Sequence, residues 1–280
     1  MPPKKEIKFK GKILFLHGYT QSSSVFYAKT SALRKKLLKL NYKSVYLNGP
    51  TKLTPADLPS TDSLSKFNTV ISDDEETNYR SWWIKPHNTN DGIDLSEPVA
   101  EIKKYIGEGE IIQDNDLVQE AESDEERRLP IVGIIGFSQG AALAGLLSHK
   151  FKDLFGVDSL KFVILYSGFK IDTSEKSGNA KYKDYYPADN GESDQFKILH
   201  IYGELDTVVH EDRVLSLYEI TKDNSDILKH PGGHFVPNSK LMVDQATNWI
   251  VHIMENKQEI SKPEDDLDSL MDMMDGLGKA

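Results

Sequence analysis

Residues 131–140 read Ile-Val-Gly-Ile-Ile-Gly-Phe-Ser-Gln-Gly, an apolar run that stops in Gly136-Phe137-Ser138-Gln139-Gly140. A hydrophobic strand that breaks into Gly-x-Ser-x-Gly and continues into Ala141-Ala142-Leu143-Ala144 predicts a strand, a sharp turn and a helix, with the serine at the apex. Such a turn forces the serine into a strained backbone conformation. A Cβ at 136 or 140 would meet neighbouring backbone, which explains both glycines. The serine oxygen then stands at a helix N-terminus above the end of a strand, where a nucleophile is useful. Alone the pentapeptide is a weak signal, so its company decides.

That company is a set of short apolar runs, each ending at a turn residue. Residues 12–16 end at His17-Gly18, 44–47 at Asn48-Gly49-Pro50, 162–166 at Ser167-Gly168, 198–202 at Gly203, and 226–229 ahead of Pro231-Gly232-Gly233. Near-continuous apolar strands suit a parallel sheet covered on both faces. Between them lie helical patterns at 25–40, 139–151, 211–221 and 238–254. Strand and helix in alternation predict a mostly parallel, doubly wound α/β sheet with helices on both faces, and sites in such sheets form at the carboxyl ends of strands.

Residues 1–257 read as a single domain, with loop-rich segments at 51–94 and 171–195 near the site and an acidic insertion at 107–128. Residues 258–280 read as an acidic, disordered tail. Within it Leu267, Leu270, Met271 and Met274 fall at helical spacing, so a protein partner for the tail is the competing expectation. The 280 residues carry no cysteine, which excludes disulfides and thiol chemistry. The start lacks an apolar segment of the secretory kind and no run is long enough for a membrane span, so the expected location is cytoplasmic, with the nucleus as alternative. A formal charge of -10 argues against nucleic acid as a partner and disfavours strongly anionic substrates.

A serine hydroxyl attacks poorly at neutral pH unless a base takes its proton and an acid orients that base. In hydrolases built on this kind of sheet the chain order is Ser, Asp or Glu, His. After Ser138, the run through Tyr202 ends in Gly203-Glu204-Leu205-Asp206, and the following one in His230-Pro231-Gly232-Gly233-His234-Phe235. Ser138, Asp206 and His234 therefore occupy strand ends in the required order. Glu204 is the rival of Asp206, which is favoured because its place after the turn reaches the histidine better. His234 follows two glycines that let its loop close on the serine, whereas His230, His210, His149 and His17 read as structural or surface groups. The oxyanion expects the amide of Gln139 and a second donor from the loop after the first strand, for which Tyr19 behind Gly18 is chosen. Trp82-Trp83 carries two readings, core packing or an apolar wall of an acyl or alkyl pocket; Phe235 is a further candidate for substrate contact. No His pair or His/Cys cluster with ligand spacing suggests a metal, and no Gly-rich dinucleotide motif follows the first strand, so no cofactor is expected.

Taken together, Leu14-Phe15-Leu16-His17-Gly18-Tyr19-Thr20-Gln21-Ser22, Arg80-Ser81-Trp82-Trp83, the segment from Gly133 to Ala142, Gly203-Glu204-Leu205-Asp206-Thr207-Val208-Val209 and Gly232-Gly233-His234-Phe235-Val236-Pro237 resemble the fungal and animal FSH family of serine hydrolases, which includes the ovarian-cancer-associated protein 2 homologues. The resemblance spans roughly residues 10–252. It implies the α/β-hydrolase fold, a Ser138–Asp206–His234 triad, and an esterase or thioesterase acting on acyl or alkyl esters through an acyl-enzyme, without a cofactor. The reading of another class is a catalytically inactive scaffold on the same fold, working through its acidic tail.

Overall fold

Alternation along the strands sets the architecture. In the computed structural model, which describes residues 7–54, 57–58, 78–85, 91–114, 116–187 and 195–255, Leu14 and Leu16 point into one core and Ile13 and Phe15 into another, on opposite faces of one sheet. Six strands form it: β1 (Gly11–Leu16), β2 (Tyr42–Leu47), β5 (Ile131–Phe137), β6 (Phe162–Tyr166), β7 (Lys197–Gly203) and β8 (Ser225–His230). The short pair β3 (Thr51–Lys52) and β4 (Arg80–Ser81) runs antiparallel beside it. The spatial order is β2-β1-β5-β6-β7-β8, and every neighbouring pair is parallel. Such a sheet needs cover on both faces.

The helices supply it. In chain order they are α1 (Ser23–Lys29), α2 (Ser31–Lys39), α3 (Ser96–Glu108), α4 (Asp124–Arg127), α5 (Gln139–Leu147), α6 (Phe151–Phe155), α7 (Glu211–Thr221) and α8 (Lys240–Met254). Residues of α3, α5 and α6 share a core with Leu14, Val163 and Leu165, while α1, α2 and α8 pack against Phe15, Ile135 and Leu199. Among the described residues no helix is long and apolar enough to cross a membrane. From β1 the chain goes outward to β2 and later returns to the other side of β1 as β5, so the strand order reverses between β1 and β5. A crevice opens at such a reversal, outside the carboxyl ends of the strands.

Two features depart from the sequence-based expectation. The helix at 25–40 is two helices broken at Thr30, whose φ of -104° and ψ of 19° leave the helical region. The buried Thr30 hydroxyl donates to the Phe26 carbonyl at 2.7 Å and meets the Tyr46 hydroxyl at 2.7 Å, the local competition that lets Thr interrupt helices. Helix α3 lies where the sequence patterns place no helix. Pro98 lies in its first turn, where no backbone donor is missed, and Gly109 ends it in the left-handed conformation at φ 73°. The described residues of the acidic segment 107–128 pack against the sheet edge. There the Gln119 side chain accepts from the Tyr46 amide at 3.0 Å and donates to its carbonyl at 2.7 Å, and buried Glu122 pairs with Lys12 at 3.0 Å. The tail at 258–280, and residues 55–56, 59–77, 86–90 and 188–194 of the loop-rich segments, lie outside the described residues.

Two buried histidines make the fold sensitive to acid. Burial pushes His200, in the middle of β7, down to about 3, with nearby His149 acting the same way. Its Nε2 sits 3.1 Å from the Thr221 hydroxyl. His17 is pushed down to about 4 by burial, against the opposing pull of the Gly18 carbonyl. Both folded values lie below that of an unfolded histidine, so the unfolded chain binds protons that the native one refuses. Their stabilising effect is complete above about pH 6.5 and is lost as pH falls, at about 1.4 kcal/mol per pH unit for each group. Carboxylates depressed by folding, Asp206 and Asp114 among them, begin to cost stability only below about pH 4. The thermal midpoint is therefore expected to hold level above about pH 7 and to drop steadily between about pH 6 and pH 4.5; a flat midpoint across that interval would contradict the assignment.

Candidate active site

Register places the crevice. Leu16, the last residue of β1, pairs with Gly136 of β5, so the loop after β1 lies beside the turn after β5. At that turn Ser138 adopts φ 51° and ψ -113°, a conformation that costs energy in any non-glycine residue. Its amide donates to the Tyr166 carbonyl at 2.8 Å, which ties the turn to β6. A Cβ on Gly136 would come within 2.6 Å of the Ala141 backbone, and one on Gly140 within 2.2 Å of the Leu16 carbonyl oxygen. Only glycine lets helix α5 start this close to the end of β1.

The other two strand ends converge on this serine. His234 Nε2 lies 3.0 Å from Ser138 Oγ, and its Nδ1 lies 2.8 Å from Asp206 Oδ2. An ionised carboxylate can only accept, so Nδ1 carries the proton and Nε2 is left as the acceptor facing the serine hydroxyl. The remaining oxygen of the carboxylate, Oδ1, accepts from the amides of Val208 and Val209, both at 2.9 Å. Burial works to raise the Asp206 carboxyl. The hydrogen bond and charge of His234 and the two amides outweigh it and hold the group below the ordinary carboxylate range. The glycine that ends β7 has a packing reason. A Cβ on Gly203 would lie 2.4 Å from the carbonyl oxygens of both Gly232 and Gly233, so the end of β7 and the histidine loop touch backbone to backbone.

Rival groups sit elsewhere. The Glu204 side chain is exposed and turns to Lys229, 3.9 Å away. His230 is buried and accepts the Gly232 amide at Nδ1, shaping the turn. His210 precedes α7 and is exposed. His17 donates from Nδ1 to the Gly18 carbonyl at 2.7 Å and accepts the Gly49 amide at Nε2, 2.9 Å away.

Gln139 is the first residue of α5, so its amide is one of the helix N-terminal donors that no intrahelical carbonyl reaches. Tyr19 follows Gly18, on which a Cβ would stand 2.9 Å from the Phe137 ring and 3.4 Å from Ser138 Cβ. The β1 loop is thus packed directly on the nucleophile turn. Its orientation comes from Trp82, for which the sequence leaves core packing and a substrate wall both open. Trp82 has no exposed surface and belongs to the core, so the expectation of a substrate wall is corrected to packing at this position. Its indole Nε1 donates to the His17 carbonyl at 2.8 Å and its amide donates to Gln139 Oε1 at 2.9 Å, while Gln139 Nε2 donates to the Trp83 carbonyl at 2.8 Å. One tryptophan therefore ties together the two loops that carry Tyr19 and Gln139. Trp83 is half-buried against the same core. Phe235 remains 37% exposed beside His234, and Leu205, next to Asp206, 67% exposed.

Ser167 joins the cluster without any signal in the sequence stronger than its place after an apolar run. It lies at the end of β6, marked by the same strand-then-glycine pattern as the other sites, and its hydroxyl donates to Asp206 Oδ2 at 2.9 Å.

Comparison with known proteins finds serine hydrolases and esterases among its relatives. The family model described as Serine hydrolase (FSH1) matches residues 7–246. Family of serine hydrolases 3 of Saccharomyces cerevisiae is 34% identical, over 96% of this chain and 98% of its own. Esterase OVCA2 of Danio rerio is 30% identical, over 81% of this chain and 90% of its own. Among solved structures, esterase PE8 superposes with a TM-score of 0.52 at 16% identity, covering 88% of this chain and 93% of its own, a likeness of fold.

Proposed function

The chain belongs to the serine hydrolase (FSH1) family, and on that premise we propose that it cleaves carboxylic esters or thioesters of apolar acyl or alkyl groups through an acyl-enzyme on Ser138. The observation that carries the proposal is the unbroken path from Ser138 Oγ through His234 to Asp206, with steps of 3.0 Å and 2.8 Å. Ser138 Oγ attacks the ester carbonyl as its proton passes to His234 Nε2. The carbonyl oxygen becomes an oxyanion, received by the amides of Gln139 and Tyr19. Collapse expels the alkoxide or thiolate, which leaves with the proton from Nε2. Water then enters, gives its proton to the same nitrogen and attacks the acyl carbon, so that the acid departs and Ser138 regains its hydrogen. Asp206 accepts the Nδ1 hydrogen bond throughout and stabilises the imidazolium formed at each addition.

Preference for an apolar substrate rests on Leu205 and Phe235, which project from the turns that carry Asp206 and His234, and on a net charge of -10 that repels anionic ligands. A series of nitrophenyl esters from acetyl to lauroyl tests it. Each methylene that finds apolar cover is worth about 0.8 kcal/mol, so kcat/KM is expected to climb roughly fourfold per carbon until the site is filled. Efficiency that falls steadily from acetyl onward would refute the apolar preference, and failure to cleave any member would refute ester hydrolysis.

A further inference from the structure

We propose that Ser167 is a positioning residue whose hydroxyl fixes the Asp206 carboxylate against His234. The inference rests on the hydrolytic reading given above. It starts from a shared oxygen: Asp206 Oδ2 receives the Ser167 hydroxyl at 2.9 Å and faces His234 Nδ1 at 2.8 Å. With the Val208 and Val209 amides on Oδ1, the carboxylate has four donors, which matches its acceptor capacity. Removing any one of them changes the charge available to the other three.

The backbone supports the same assignment. Ser167 is buried and stands at φ 49°, one of four non-glycine residues with positive φ among the described residues; Ser138 is another. Strain of this kind persists where the surroundings over-determine it, and it gathers at functional sites. Here the Ser167 amide is fixed to the Ile201 carbonyl at 2.8 Å. That bond seats the residue at the end of β6, between the strand that ends at Ser138 and the strand that leads to Asp206.

Loss of the hydroxyl would leave His234 as the only side-chain donor to Oδ2 among the described residues. Negative charge would then concentrate on the bond to Nδ1, and the imidazolium would be stabilised relative to the neutral base. The carboxylate would also turn more freely about its side-chain torsion. Other charged or titratable groups around the pair are His230 at the end of β8, Glu204 and Lys229 at the rim, and Glu211 at the start of α7, which accepts from the Tyr202 hydroxyl at 2.6 Å. They are untouched by substitution at 167, so a difference from wild type reports the change at that residue.

Two substitutions separate the hydroxyl from the backbone. Ser167→Ala deletes the donor and keeps the strained conformation; Ser167→Gly deletes the donor and adopts positive φ freely. Both variants are expected to lose about tenfold in kcat/KM near pH 8, with KM within about twofold, and to shift the acid limb of the pH–rate profile upward by about half a unit. Full activity in Ser167→Gly would assign the effect to backbone strain and overturn the proposal. So would an acid limb unmoved in both variants. A wild-type protein that hydrolyses no ester and is not labelled by a fluorophosphonate overturns the hydrolytic reading and this inference with it, whereas an active wild type matched by both variants overturns this inference alone.

Discussion

Replacing Ser138 with alanine is expected to lower kcat/KM for a nitrophenyl ester by about a million-fold, because nucleophile, base and orienting acid act as a unit and loss of the first idles the other two. On the proposed mechanism, what survives is the binding and oxyanion contribution of the Gln139 and Tyr19 amides, which the substitution does not touch. Stability should change little. Alanine meets the same strain as serine at φ 51°, and the amide bond from residue 138 to the Tyr166 carbonyl is made by backbone. A fluorophosphonate should label the wild-type protein and leave the variant unlabelled at equal concentration. A variant that retains labelling, or stays within about tenfold of wild type while folded, would remove Ser138 from the mechanism.

The site was legible because its residues lie at places where the sequence announces a change of structure. Ser138, Asp206 and His234 each follow an apolar run broken by glycine, and those runs became β5, β7 and β8. Strands covered on both faces need apolar residues at nearly every position, so their limits stand out even where no periodicity does. Helix α7 was equally plain, since its apolar positions repeat with the helical period. The features that escaped are those held by partners remote in sequence. Gln119 recognises the Tyr46 backbone 73 residues away, and Gln139 recognises Trp82 across 57. Neither glutamine differs locally from a solvated one. Trp82 reads as a bulky apolar residue whose polar handle has no visible destination until His17 is brought beneath it. Helix α3 shows the opposite difficulty. Its pattern of Val99, Ile102, Tyr105 and Ile106 is sound, but Pro98 and the acidic stretch that follows suggest interruption, and only the position of the proline in the first turn makes it harmless.

Asp206→Asn is expected to lower kcat/KM by about ten-thousand-fold with the fold intact, and the contacts around the carboxylate say why an amide cannot substitute for it. Oδ1 receives two backbone amides that cannot turn away. An asparagine must therefore present its carbonyl oxygen there and its NH2 group at the Oδ2 position. At that position it meets His234 and the Ser167 hydroxyl. The hydroxyl can rotate and accept. The imidazole can accept at Nδ1 only by moving its proton to Nε2, and Nε2 then points a hydrogen at Ser138 Oγ instead of a lone pair able to take the serine proton. The substitution thus preserves shape and hydrogen bonds while installing the wrong tautomer. Glu204→Gln, two residues earlier on the exposed rim, should stay within about twofold of wild type, because a solvated side chain paired loosely with Lys229 contributes little. A large loss from Glu204→Gln with a small one from Asp206→Asn would transfer the orienting role to the glutamate and contradict the geometry at the end of β7.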